Sequence, residues 1–196
     1  MTVPLDERAL NQLFRGARTY NGFSARPVTE ETVRTLYDLV KWGPTAFNSQ
    51  PSRYVFLRSP ESKARLAPAL SSSNREKTVN APFNLILAYD TRFFEHLPSL
   101  TPSPKAKELF EENPHLVEPT LLRNGSLQAG YLILAARALG LDIGVLTGFK
   151  ADLVNQEFFP DGRYQVNLIA NLGYGDQASL RPRAHRFAFD EVARVI

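Results

Sequence analysis

Runs of apolar residues repeating every three to four positions alternate along this chain with short continuous apolar runs, which predicts helices separated by strands. Asp6 is placed to cap a helix carrying Leu10, Leu13 and Phe14. Thr29-Glu30-Glu31-Thr32 opens a second, with Val33, Leu36, Tyr37 and Val40 on one face, and both read as short surface helices. Tyr54-Val55-Phe56-Leu57 reads as a buried strand, followed by a helix capped at Ser59, with Pro60 in its first turn, that runs to about Leu70. A second strand covers Phe83 to Tyr89. From Thr91 to about Pro119 the periodicity breaks up among five prolines, charges and aromatics, the composition of a lid or excursion. From Ser126 to Leu139 the pattern predicts a central buried helix, with Leu127, Gly130, Tyr131, Leu134, Ala135 and Ala138 on one register and Leu132, Ile133 and Ala136 on the other side. Gly140 ends that helix, Ile143 to Thr147 is a third strand, Ala151 to Phe158 a short helix, and Tyr164 to Leu172 a fourth strand. Strands separated by helices argue one α/β layered unit, a sheet between helical layers.

Composition narrows the chemistry. The 196 residues contain no cysteine, which excludes disulfides, thiolate nucleophiles, iron–sulfur clusters and cysteine zinc sites, and fits a reducing cytoplasm. The N-terminus has neither the basic nor the apolar region of a signal peptide, and no apolar run approaches membrane-spanning length. A net charge of +3, scattered along the chain, gives no nucleic-acid stripe. Cations cluster only near the C-terminus, at Arg181, Arg183, His185 and Arg186, as a solvated basic edge or an anion-binding tail. The histidines His96, His115 and His185 lack ligand spacing, so no metal site is expected. Asn124-Gly125-Ser126 matches a glycosylation sequon by chance if the chain is not secreted.

Several near-motifs fail on spacing. Gly173-Tyr174-Gly175-Asp176-Gln177-Ala178 has the glycines of a dinucleotide fingerprint, but no apolar helix follows and too few residues remain for a βαβ unit, so it reads as a turn. Gly144 to Lys150 resembles a phosphate-binding loop with one residue too few between its glycines and Lys150 displaced. No nucleophile elbow is present. The stretch Trp42-Gly43-Pro44-Thr45-Ala46-Phe47-Asn48-Ser49-Gln50-Pro51 is different. Two prolines rigidify it, and a hydroxyl, amides and free backbone N–H groups stand where a helix has just ended, which suits a polar, planar, phosphate-bearing ligand. With no side chain able to carry redox chemistry and no hydrolytic constellation, a borrowed cofactor fits best.

These residues carry a resemblance. Arg18-Thr19 leading to Phe23 and Pro27-Val28, Trp42-Gly43-Pro44-Thr45 with Asn48 and Gln50-Pro51, Asn74 with Lys77 three residues on, Gln128, Ala135-Ala136, Ala138-Leu139-Gly140-Leu141, Thr147-Gly148-Phe149 and Gly173-Tyr174 follow one another in the order and spacing of the FMN-dependent nitroreductases. The chain resembles that family from Arg18 to Arg186. Within it, Arg18 to Phe23, Lys41 to Thr45 and Arg123-Asn124 are similar to the branch of malonic semialdehyde reductases of uracil degradation.

The resemblance implies an α+β three-layer sandwich, a central mixed sheet with helices on both faces, in one domain over residues 1–196. It implies an intertwined homodimer with FMN at the subunit interface, a lid or excursion at about 91–119 and a C-terminal extension at about 175–196. Arg18 and Thr19, with Arg183 and Arg186, would hold the phosphate and ribityl chain; Pro44, Thr45 and Asn48, with Gln50, would lie along the flavin from the partner chain. Asn74 would bond the pyrimidine edge, Lys77 would sit near N1 and O2, and the backbone at Thr147-Gly148 would offer an N–H toward N5. The family usually carries a basic residue where this chain has Asn21, and often another where it has Ala17, so Asn21 occupies a cofactor-binding position without the charge.

By the same resemblance, NADPH or NADH reduces the flavin and an oxidant uses the same pocket afterwards, a ping-pong cycle. Arg123 is the candidate cation for a substrate carboxylate, or it pairs with Glu111, Glu112 or Glu118. A broad nitroaromatic or quinone reductase, with Phe93, Phe94 and Phe110 supplying stacking, and a non-catalytic flavin-binding module are the alternative readings.

Overall fold

The computed structural model describes residues 3–196. The elements follow in the order α1 (Glu7–Leu10), α2 (Glu30–Val40), β1 (Ser52–Leu57), α3 (Pro60–Leu66), α4 (Ser72–Val79), β2 (Phe83–Asp90), α5 (Leu97–Leu100), α6 (Ala106–Glu112), α7 (Val117–Ala138), β3 (Asp142–Leu146), α8 (Ala151–Phe158), β4 (Tyr164–Gly173) and α9 (Phe189–Val192), with 3-10 turns between several of them. Asp6, Thr29 and Ser59 cap their helices by accepting from the backbone N–H groups of Ala9, Thr32 and Ser62, as their positions in the sequence predict.

The sheet has four strands in the order β1-β2-β4-β3. Every pairing is antiparallel, which corrects the expectation of a mixed sheet within the chain. The helical connections from β1 through α3 and α4 to β2, and from β3 through α8 to β4, each re-enter the sheet at the end where the preceding strand left it, so these neighbours run antiparallel.

One face of the sheet packs on α2 and α7 through Val33, Leu36, Val40, Leu85, Leu132, Ala136 and Leu172; the other packs on α3 and α8 through Leu66, Ile86, Val154 and Ile169. Helix α2 is thus a core helix on its apolar face, not merely a surface one. Strand β1 is an edge strand with an intermediate middle, less buried than its apolar sequence suggests, while β2 is buried almost throughout.

The excursion is more ordered than its prolines imply. Phe93, Leu97, Ala106, Phe110 and Leu121 form a third small core, and α7 begins at Val117, nine residues before the periodicity shows it. Pro119 is tolerated because it stands in the first turn, where no intrahelical N–H bond is lost. Along α7 the buried face is Leu121, Asn124, Gly125, Gln128, Ala129, Leu132, Ala135 and Ala136, whereas Leu127 and Tyr131, expected in the core, are exposed with Leu122. A helix apolar all round gives no sequence cue to which side the chain itself covers. Helix α4, SSNREKTV, carries no apolar stripe for periodicity to predict; only Thr78 is buried.

Candidate active site

The turn after α2 is built around close approach and strain. Gly43 lies on the ring of Tyr131, where a Cβ would come within 2.8 Å of Tyr131 Cγ, so glycine lets the turn sit directly on α7. Past Pro44 and the extended Thr45, three non-glycine residues adopt left-handed backbone: Phe47 at φ 56°, Asn48 at φ 52° and Gln50 at φ 40°. Each costs about 1–2 kcal/mol and persists only where the surroundings enforce it.

The enforcement is visible. The buried Asn124 of α7 accepts from Ala46 N–H at 2.7 Å, Thr45 Oγ1 accepts from Gln50 N–H at 3.1 Å, and Asn48 Nδ2 donates to the Leu100 carbonyl at 2.9 Å. Phe47 stands edge-on to Phe110, with centroids 6.0 Å apart, which joins the turn to the excursion core. The sequon asparagine is thus a buried helix residue with a structural task.

A second group assembles where the chain leaves β3. Gly148, just after β3, accepts through its carbonyl from Ser71 N–H at 3.0 Å and from Asn74 Nδ2 at 3.2 Å, so α4 starts against it. A Cβ on Gly148 would lie 2.5 Å from Asn74 Nδ2 and 3.0 Å from Ser71 Oγ. Lys77, one turn beyond Asn74 on α4, shares a cavity of about 570 Å³ with Asn21, Glu76 and Arg181.

The C-terminal tail closes over this group. The Arg18 guanidinium donates to the Arg181 carbonyl, and Arg183 donates to the carbonyls of Arg15 at 2.7 Å and Ala17 at 3.2 Å. Thr19 is exposed, its methyl 3.6 Å from where a Cβ on Gly144 would stand, and Thr147 is exposed beside Gly148. Among the described residues Arg186 bonds only the carbonyls of Ala184 and His185 in its own tail, so the chain does not bring it to Arg18. Arg181, noted in the sequence only as part of the C-terminal basic cluster and not among the cofactor residues, lines the cavity with Lys77.

Asn21 and Lys77 therefore line one cavity with Arg181, whose carbonyl Arg18 holds; Asn74 and Gly148 meet at the start of the same helix as Lys77, Arg183 bonds the carbonyls of Arg15 and Ala17, and Thr45, Asn48 and Gln50 follow Pro44 in the strained turn. Among the described residues no hydrogen bond joins the two groups. Arg123, exposed on α7 next to Asn124, forms no salt bridge among the described residues. The acids weighed as its partners do not take it, and Glu111 pairs with Lys107 instead.

A further cluster, unread in the sequence, sits at the end of β2. Asp90, fully buried, accepts from Arg53 at 2.8 Å and Arg163 at 2.5 Å, bonds His96 Nε2 at 3.1 Å, and accepts the Arg92 N–H at 3.0 Å. Burial alone would push its carboxyl up, but the hydrogen bond from Arg163, the Arg92 N–H and the two guanidinium charges together hold it below the usual aspartate value. This clasp ties β1, the start of β4 and the root of the excursion together, and His96 is a satisfied histidine of the excursion.

This geometry is accompanied by close relatives. The Nitroreductase family matches residues 14–117. A protein of Stenotrophomonas maltophilia named "Putative NADH dehydrogenase/NAD(P)H nitroreductase" is 52% identical over 195 residues, covering 100% of both chains. A similarly named protein of Ralstonia nicotianae is 50% identical over 192 residues, covering 98% of each. The chain belongs to the nitroreductase family.

Among solved structures, the nitroreductase family protein of Streptococcus pneumoniae superposes with a TM-score of 0.80 at 25% identity over 94% of this chain and 98% of its own. The "putative nitroreductase in complex with FMN" of Exiguobacterium sibiricum has the same fold, with a TM-score of 0.85 at 19% identity and 100% of both chains covered. No helix of the described residues is long and apolar enough to cross a membrane, and no group of three potential metal ligands occurs among them.

Proposed function

We propose that this protein is an FMN-dependent NAD(P)H oxidoreductase that works as a cytoplasmic homodimer and reduces malonic semialdehyde to 3-hydroxypropanoate. The observation that carries the flavin reading is the junction of Asn74 and Ser71 with Gly148, with Lys77 one turn away on the same helix. Chain segments more than 70 residues apart meet there at a glycine whose missing side chain lets the Asn74 amide and the Ser71 hydroxyl come in to where a Cβ would stand. The residues fit FMN: an amide for the pyrimidine edge, a cation for the N1–O2 side, a glycine turn, and, as cations for a phosphate, Arg181 in the wall of the Lys77 cavity, Arg18 on the Arg181 carbonyl and Arg183 on the Arg15 carbonyl. Asn21 lines the same cavity without a charge, and Arg181 supplies cationic character there.

When bound, FMN supplies a site that accepts hydride from a nicotinamide and donates it to an oxidant. The chain's own part is positional and electrostatic. Lys77 favours negative charge on the pyrimidine side, the start of α4 fixes the Asn74 amide, and the strained turn presents Thr45 and Asn48 on a rigid frame. No hydrogen bond joins that turn to the Arg18–Lys77 group among the described residues, which supports the reading that it serves a second copy's flavin in a homodimer. Exposed apolar side chains on α7 and along the tail, Leu127, Tyr131, Phe187, Phe189, Val192 and Val195, are the surface such a partner covers.

For the semialdehyde, Arg123 is the cation for the carboxylate. It is the neighbour of Asn124, which holds the turn, and it has no acidic partner among the described residues. Wild type and Arg123→Met are compared in anaerobic turnover with NADPH and with NADH, against malonic semialdehyde and a neutral quinone. The expected result is a raised KM for the semialdehyde with the quinone spared. Equal losses on both would make Arg123 structural. Turnover of nitroaromatics without any turnover of the semialdehyde would replace this substrate by the broad nitroreductase reading, and a yellow protein that neither nicotinamide bleaches would be a binding module.

A further inference from the structure

Helix α4 carries Asn74 and Lys77, yet it has no apolar face with which to grip the rest of the chain, and Thr78 is its one buried residue. Polar contacts hold it instead. At its start Ser71 N–H and the Asn74 amide bond the Gly148 carbonyl, and Arg75 bonds the carbonyls of Ala67 and Leu70. At its last turn it meets two asparagines of the sheet. Asn84 on β2 and Asn171 on β4 stand directly opposite each other in the antiparallel register. Alternation along the strands puts them on the face of Ile86 and Ile169, which otherwise packs on α3 and α8 through apolar side chains.

These residues form a set closed to water: Thr78 and Asn84 are fully buried and Asn171 is 2% exposed. Asn84 Nδ2 donates to the Thr78 carbonyl at 2.7 Å and to Asn171 Oδ1 at 3.1 Å, and Asn171 Nδ2 donates to Thr78 Oγ1 at 3.2 Å. Asn84 Oδ1 is left without a partner. An apolar pair at these two strand positions would continue the core with no polar group to satisfy, so stability alone does not account for the set. What hydrogen bonds add and an apolar contact lacks is direction: they fix both the rotation of α4 about its axis and its position along it. Lys77 precedes Thr78 and lies about 100° away around the helix. With Thr78 locked inward, Lys77 is turned to the cavity it shares with Asn21 and Arg181, whose wall includes none of the three buried residues.

We propose that Thr78, Asn84 and Asn171 are positioning residues that set the register of α4 and thereby the place of the Lys77 ammonium at the flavin, an inference that rests on the flavin reading above. None of the three touches the cofactor. They act through Lys77, and a helix free to turn or slide by about 1 Å is enough to spoil a charge that must face one edge of a ring.

The test compares the full wild-type chain with Thr78→Ser, Thr78→Val and the triple variant Thr78→Val/Asn84→Leu/Asn171→Leu. Thermal midpoint and amide hydrogen exchange are read on the apoprotein, and the reduction potential on the FMN-loaded protein by spectroelectrochemistry. The triple variant removes all the side-chain partners together and leaves the Thr78 carbonyl its bond from Ala81 N–H at 3.2 Å. It is therefore expected to melt at or above the wild-type temperature, while the amides of α4 exchange about tenfold faster relative to those of the sheet. The ratio of reduced to oxidised FMN affinity is expected to fall about tenfold, which is about 30 mV for a two-electron couple. Thr78→Ser keeps the hydroxyl and should keep wild-type exchange and potential, whereas Thr78→Val should move both in the direction of the triple variant. In a Lys77→Ala background the triple change should lower the potential no further, since no ammonium remains to misplace.

A triple variant with wild-type exchange in α4 or a wild-type potential would overturn the proposal. So would an undiminished fall in potential in the Lys77→Ala background, because the set would then act on the flavin by a route other than Lys77. If the triple variant does not fold, the single variants decide: Thr78→Val and Thr78→Ser behaving alike would overturn it. Failure of the flavin reading itself shows elsewhere, in a wild-type protein that binds no FMN, before any variant is compared.

Discussion

Gly148→Ala isolates the junction on which the flavin reading rests. The added Cβ would stand 2.5 Å from Asn74 Nδ2 and 3.0 Å from Ser71 Oγ, about 1 Å inside ordinary contact with the first. The backbone cannot easily yield, because Ser71 N–H is bonded to the Gly148 carbonyl at 3.0 Å and opens α4. The Asn74 side chain can, by rotating away. It then loses its 3.2 Å bond to the Gly148 carbonyl, which costs about 0.5–1.5 kcal/mol of stability. It also leaves the position from which it would meet the pyrimidine edge, a further 1–3 kcal/mol or so of affinity, equivalent to roughly 5–150-fold in Kd.

The assay is a fluorescence titration of apoprotein with FMN for wild type, Gly148→Ala, Asn74→Ala and the double variant. If the glycine acts through the amide, the two losses overlap and the double variant is little worse than Asn74→Ala. Fully additive losses would show that Gly148 matters for some other reason, and unchanged affinity in both single variants would refute the placement of the ring edge.

Lys77→Ala should lower the reduction potential of the bound flavin by about 20–65 mV, the two-electron equivalent of the 1–3 kcal/mol a partly desolvated cation contributes; an unchanged potential by spectroelectrochemistry would make Lys77 a surface charge. Asp90→Asn should destabilise the fold by about 3 kcal/mol in urea melts, since it leaves Arg53 and Arg163 facing a buried neutral group. The acid limb follows from the same carboxyl: its folded pKa lies below its unfolded one, so its contribution is complete above about pH 4 and is lost as pH falls through the depressed value. A variant that melts like wild type at neutral pH, or whose acid limb is unchanged, would contradict the clasp. Sedimentation should find a dimer at micromolar concentration, and a flavin-loaded monomer would refute the shared site.

Local chemistry was legible without the fold. Helix starts at Asp6, Thr29 and Ser59 follow from side-chain oxygens reaching free N–H groups a few residues on, and the glycine end of α7 follows from the positive φ of 72° at Gly140. The strands β2 and β4 follow from apolar runs buried on both faces. Family membership was legible too, because it resides in the order and spacing of short motifs. What tertiary structure decided were the matters that depend on which surfaces meet. Helix α4 has no stripe to betray it and forms because Gly148 and Ala67–Leu70 receive it. The antiparallel order of the sheet follows from the end at which each helical connection re-enters it, which packing on the two faces decides. The left-handed run at Phe47, Asn48 and Gln50 exists only because Asn124, Leu100 and Phe110, all distant in sequence, hold it. The side of α7 that the chain leaves open, with Leu127 and Tyr131, could not be read from a helix apolar on every face, since hydrophobicity records that a side chain avoids water but not whether its own chain or another provides the cover.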